Sequence, residues 1–166
     1  YLYVTRGLRR GHRYLLVALG VLALHTLVQF VTHTRGYTLG IISNLIGTRE
    51  IPEWLEAEGF APYFKSVALS SVLGIRKPSP EIYLEAARRA GIEPAKCAYI
   101  GDNLKRDVTG TRAAGFGLLV IMISPAELAE VEITVENRPD VFIHQFRQLL
   151  DIFPGIPGNL EERKAQ

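Results

Sequence analysis

The chain has 166 residues, 48% of them hydrophobic and 22% charged, enough length and apolar content for one domain with its own core. Its formal net charge of +2 is too small to point to nucleic acid, so no nucleic-acid partner is expected. The single cysteine, Cys97, excludes an internal disulfide and reads as a core thiol, which suits a reducing, cytoplasmic setting.

The small net charge hides an asymmetry. Residues 1–49 contain six arginines and no acid, and the first carboxylate is Glu50. An acid-free, arginine-bearing segment is consistent with a targeting sequence, a membrane anchor or a basic binding face. Tyr1 to Thr5 has the composition of a short strand, and a basic, glycine-broken stretch follows from Arg6 to Arg13. Tyr14 to Val31 carries no formal charge with histidine neutral, but His25, Thr26 and Gln29 interrupt it. A spanning helix needs about 20 predominantly apolar residues, so a buried helix fits this stretch better and no membrane partner is expected. The expected organisation is a basic, apolar helical segment over 1–36, an α/β core over 37–153 and a loose tail over 154–166 rich in Gly and Pro.

From Tyr37 onward the pattern alternates. Leu39 to Ile42 is a continuous apolar run, as in a strand buried on both faces, and it ends at Ser43-Asn44. Pro52 to Glu58 predicts a short helix stopped by Gly59. Ser66 to Ser71 predicts a second strand, and Glu81 to Ala90 a helix closed by Gly91. Ala98 to Ile100 predicts a third strand, Asp107 to Ala114 the helix after it, and Leu118 to Ile123 a fourth strand. Val141 to Ile143 and Gln145 to Ile152 predict a last strand and a terminal helix. Strands alternating with helices predict a doubly wound parallel sheet with flanking helices, a Rossmann-type α/β core.

Three strand ends carry candidate chemistry: Ser43-Asn44, the loop around Lys77, and Asp102 with Asp107. In open parallel sheets, ligands sit where strands end and helices begin. Two carboxylates five residues apart there suit a hard cation such as Mg²⁺. They equally suit a tight turn with Asp102 or Asn103 capping the next helix.

The combination resembles the haloacid dehalogenase-like (HAD) hydrolase superfamily. Ile41-Ile42-Ser43-Asn44 looks like its strand ending in Ser or Thr, and Arg76-Lys77-Pro78-Ser79-Pro80 like its downstream lysine. Gly101-Asp102 through Asp107, then Gly110 to Gly115, looks like its acidic pair. The motifs span roughly residues 35 to 152. The resemblance implies a Mg²⁺-dependent phosphatase acting on a small phosphomonoester. By that resemblance Ser43 hydrogen-bonds a phosphoryl oxygen with Asn44 nearby, and Lys77 stabilises nucleophile and phosphate. Asp102 ligates Mg²⁺, and Asp107 supports that metal site or holds Lys77. Phosphoryl transfer needs mostly positioning and neutralisation of oxygens, which such groups supply.

One part of the family pattern is missing. The nucleophile and the general acid–base are aspartates on a strand that precedes Ser43, and no acid precedes Glu50. The chain as given is therefore expected to be catalytically incomplete. That strand lies in the family between the Ser43 and Asp102 strands, so the expectation is an incomplete or degenerate first strand at Tyr1 to Thr5, a start outside the given sequence, or a non-native or misread sequence over residues 1 to about 34. Self-association or a partner chain are ways to complete the sheet. The alternative is a non-catalytic relative that keeps these groups for binding or scaffolding.

Overall fold

The computed structural model describes residues 37–153; the segments expected over 1–36 and 154–166 lie outside the described residues. Among the described residues five parallel strands form two sheets. β1 (Leu39–Ser43) pairs with β2 (Phe64–Leu69), and β3 (Ala98–Gly101), β4 (Leu118–Met122) and β5 (Val141–Ile143) form the second sheet in that order. The register sets Ser43 against Leu69 and Gly101 against Ile121, so these strand ends lie level with their neighbours' ends. This is the parallel α/β architecture that the alternating pattern predicts.

Among the described residues no ladder joins β1 to β3. One helix links the two sheets instead. α3 (Pro80–Ala90) buries Ile82, Tyr83, Ala86 and Ala87 in a single apolar cluster with Ala68 of β2, Tyr99 of β3 and Leu119 and Ile121 of β4. Its apolar residues at i, i+1, i+4 and i+5 form one stripe, which is what a helix laid across a sheet face needs. Pro80 starts it, and Gly91 closes it at φ 73°, in the left-handed region that a residue with a Cβ avoids.

The first expectation to change is that β1 is buried on both faces. Leu39, Ile41 and Ile42 are half-buried and Gly40 is exposed, because among the described residues β1 has a strand neighbour on one side only. A second cluster around Leu55 and Phe60 packs on Leu39 and Ile41, through α1 (Glu50–Ala57) and the turn after it.

Element boundaries differ from the expected ones in informative ways. Strand β2 stops at Leu69, and Ser70 and Ser71 open the short helix α2 (Ser70–Leu73). Ser70 Oγ accepts from the Leu45 N–H at 3.0 Å and donates to the Leu45 carbonyl at 3.1 Å, and Ser71 Oγ donates to the Gly47 carbonyl at 2.5 Å. The two serines thus staple the loop after β1 to α2. Helix α4 (Leu104–Ala113) begins a turn earlier than expected, because Asn103 caps it by accepting from the Arg106 N–H at 2.7 Å. Helix α5 (Pro125–Glu130) was not expected at all, although Ser124-Pro125-Ala126-Glu127 forms a reciprocal capping box. The expected terminal helix is a 3₁₀ turn, Phe146–Gln148, followed by α6 (Leu149–Ile152).

Candidate active site

The predicted site residues fall in three places: Ser43 and Asn44 at the C-terminal end of β1, Lys77 in the loop after α2, and Asp102 and Asp107 in the turn and helix that follow β3. Ser43 is the last residue of β1, and Asn44 follows it. The Asn44 side chain crosses to the loop after α2, where Oδ1 accepts from the Lys77 N–H at 2.8 Å and Nδ2 donates to the Lys77 carbonyl at 3.0 Å. The Lys77–Pro78 peptide bond is cis.

From this anchored main chain the Lys77 side chain runs inward and is only 7% exposed. Its ammonium donates to the Tyr99 hydroxyl at 2.7 Å and lies 3.2 Å from Asp107 Oδ1. An ammonium has three donors, so two are committed among the described residues. Burial pushes the Lys77 ammonium below its ordinary pKa, and the attraction of Asp107 opposes that shift. The Tyr99 ring is itself fixed by an edge-on contact with Tyr83, at 5.1 Å between centroids. Burial raises both phenols above their ordinary values, so both hydroxyls are neutral at physiological pH.

Asp107 sits in the first turn of α4 with no exposed surface. Its Oδ2 accepts from the Asp102 and Asn103 N–H groups at 3.2 and 3.1 Å. Oδ1 faces Lys77 and accepts from Arg106 Nε at 3.1 Å. Burial alone would raise this carboxyl; the Arg106 hydrogen bond, the charges of Lys77 and Arg106 and the Asn103 amide outweigh it and hold the pKa below the ordinary value. Gly101, the last residue of β3, lets the carboxylate approach, since a Cβ there would stand 2.6 Å from Asp107 Oδ2.

Asp102 is the opposite case. Its side chain is 64% exposed, and its one ion pair among the described residues is to Arg106 Nη2 at 3.1 Å. A carboxylate open to solvent at a strand-to-helix turn fits a cation that keeps several waters and binds through one or two carboxylates plus substrate phosphate. Asp107 fits that role poorly, since both its oxygens are already engaged. Among the described residues no group of three or more His, Cys, Asp or Glu side chains is placed to hold a metal ion.

A continuous path of contacts therefore joins three separate stretches of sequence: Asn44 to Lys77, Lys77 to Asp107, and Asp107 to the backbone of Asp102. The motif pattern singles out Ser43, Lys77, Asp102 and Asp107 as candidates, but it does not identify Asn44 as a clamp, Tyr99 as the acceptor for Lys77, or Arg106 as a bridge. Tyr99 and Tyr83 carry no sequence signal beyond that of core aromatics. Arg106 sits between the two acids, three residues after the cap, and that position is the only signal it offers.

The family model of haloacid dehalogenase-like hydrolases matches residues 7–115, and the chain belongs to that family. The match starts well upstream of the motifs at Ser43 and beyond. A glyceraldehyde 3-phosphate phosphatase of Methanopyrus kandleri is 30% identical over 118 residues, 70% of this chain and 49% of that protein. The crystal structure of an HAD phosphatase from Thermococcus onnurineus superposes with a TM-score of 0.63 at 27% identity, over 77% of this chain and 55% of that one. That of a 2-haloacid dehalogenase from Pseudomonas syringae gives 0.56 at 28% identity, over 70% of this chain and 46% of that one. The chain spans about half the length of the phosphatase from Methanopyrus. No helix among the described residues is long and apolar enough to cross a membrane.

Proposed function

We propose that the chain carries the phosphate- and metal-binding groups of a Mg²⁺-dependent phosphatase for a small phosphomonoester. The observation that carries this reading is the Lys77 ammonium, buried and oriented by Tyr99 and Asp107 with its main chain gripped by Asn44. A cation fixed before the substrate arrives needs no reorganisation to stabilise phosphoryl oxygens, and that is the larger part of what phosphoryl transfer requires.

In this reading the third Lys77 proton and the Ser43 hydroxyl meet the phosphoryl oxygens. Asp102 is the protein's metal ligand, and Mg²⁺ there supplies neutralisation of phosphoryl charge. Asp107 acts by holding Lys77 and the Asp102 turn, and its engaged oxygens favour that role over direct ligation. The name of the Methanopyrus relative supports a phosphatase. The Pseudomonas structure is named a dehalogenase, but the resemblance gives that chemistry no need of the exposed Asp102 carboxylate.

No acid precedes Glu50, so no residue of the given sequence is assigned the covalent step. The same observation favours a second reading, in which this chain binds phosphate and metal without turning over. Calorimetric titration of inorganic phosphate in the presence of Mg²⁺ tests the binding, with weak association expected and Lys77→Ala weakening it. Turnover of a generic phosphomonoester by the chain as given, lost in Asp102→Asn, would mean that a residue outside this scheme is the nucleophile.

A further inference from the structure

We infer that Arg106 is the built-in counter-ion of the metal site: with the Lys77 ammonium already on Asp107, its guanidinium balances the charge of Asp102 and Asp107 when no metal is bound, and its release from Asp102 sets how tightly Mg²⁺ binds. The inference rests on the proposed Mg²⁺ role of Asp102.

The guanidinium is shared between two carboxylates. Nη2 lies 3.1 Å from Asp102 Oδ1 and 3.4 Å from Asp107 Oδ2, while Nε donates to Asp107 Oδ1 at 3.1 Å. The planar fork serves both at once in a fixed geometry; a lysine in its place would be a point charge without that fork. The neighbouring Lys105 forms none of the ion pairs found among the described residues.

The two halves of the bridge differ. The Asp107 end is buried against a carboxylate with no exposure and a second cation, Lys77, on the same oxygen. The Asp102 end pairs a one-third exposed arginine with a carboxylate that is 64% exposed. An exposed pair is weak and exchangeable, whereas breaking the buried one leaves charge without compensation. The guanidinium therefore leaves Asp102 first and keeps its hold on Asp107.

A divalent cation and a guanidinium cannot share one exposed carboxylate without repulsion. Mg²⁺ arriving at Asp102 displaces the Arg106 Nη2 contact, and part of its binding free energy is spent on that exchange. Together with Lys77, Arg106 thus keeps the site neutral without metal and the bound metal readily exchanged.

The test is calorimetric titration of Mg²⁺ into the full chain and into Arg106→Gln, with melting temperatures in chelator and in excess Mg²⁺. Arg106→Gln is expected to melt lower in chelator, to bind Mg²⁺ about three- to tenfold more tightly, and to gain more melting temperature from the metal. A merely structural arginine would lower stability without tightening metal binding. Arg106→Lys keeps one cation beside Asp107 and is expected to fall between the two, which covers a failure of the glutamine variant to fold. Mg²⁺ affinity unchanged or weakened in the folded variants overturns the inference and leaves the Mg²⁺ role of Asp102 standing. A folded wild-type chain that takes up no Mg²⁺ at millimolar concentration overturns that role, and the inference with it.

Discussion

The Asn44 side chain holds both main-chain polar atoms of Lys77, accepting from its N–H at 2.8 Å and donating to its carbonyl at 3.0 Å. This ties the end of β1 to a loop 33 residues further on, and it needs an amide, which alone offers one donor and one acceptor in that geometry.

Asn44→Asp keeps the shape and loses the donor, leaving a carboxylate oxygen against the Lys77 carbonyl. A part-buried bond replaced by an unsatisfied group costs about 1–3 kcal/mol. Denaturant unfolding should report that loss, and phosphate affinity should fall as Lys77 loses its anchor. A variant with wild-type stability and wild-type phosphate affinity would show that the clamp positions nothing.

Asp107→Asn should be more damaging. It removes the partner of a lysine only 7% exposed, and breaking a buried pair costs about 3–5 kcal/mol. The same carboxylate governs the acid limb of stability. Burial would raise its pKa, but Arg106, Lys77 and the Asn103 amide hold it below the ordinary value in the folded chain. Its contribution is therefore complete above the unfolded-state value of about 4 and is lost as pH falls through the lower folded value. Unfolding free energy measured by urea should drop steeply below about pH 4 in the wild type and less steeply in Asp107→Asn. Equal acid limbs in the two proteins would contradict the assignment.

Gly110 tests the packing beneath the site. A Cβ there would stand 2.4 Å from Tyr83 Cε2 and 2.7 Å from the Pro78 carbonyl, so Gly110→Ala must shift α3 or the loop after Lys77. Overpacking of this kind costs about 1–3 kcal/mol. Because Pro78 follows Lys77 and Tyr83 packs on Tyr99, the melting temperature and the phosphate affinity should fall together. A lowered melting temperature with unchanged phosphate affinity would separate the core from the site.

Most of the fold was legible, and the candidate site less so. Apolar runs at 39–42, 98–100 and 118–123 each correspond to a parallel strand, because a short continuous apolar run is recognisable from local sequence alone. Motif order singles out Ser43, Lys77, Asp102 and Asp107 as candidates, and the structure joins Lys77 to Asp107 and Asp107 to the Asp102 backbone. Asn44 is expected near the phosphate, and its side chain bonds the Lys77 backbone. That contact, like the Tyr99 hydroxyl and the Arg106 fork, depends on which residue lies opposite across the fold, and local spacing does not encode it. The half-exposure of β1 has the same origin, since burial of a strand depends on its neighbours in the sheet.

The central claim is that Lys77, held by Asn44, Tyr99 and Asp107, is a preset cation for a phosphoryl oxygen beside Asp102. Calorimetric titration of inorganic phosphate, with and without Mg²⁺, into the wild type and into the double variant Lys77→Met/Asp107→Asn tests it most directly. Replacing both members of a buried pair by neutral groups is often tolerated, so the variant is expected to fold. The wild type should bind phosphate more tightly with Mg²⁺ than without, and the folded double variant should lose most of that binding. Equal phosphate affinity in the two folded proteins would contradict the claim.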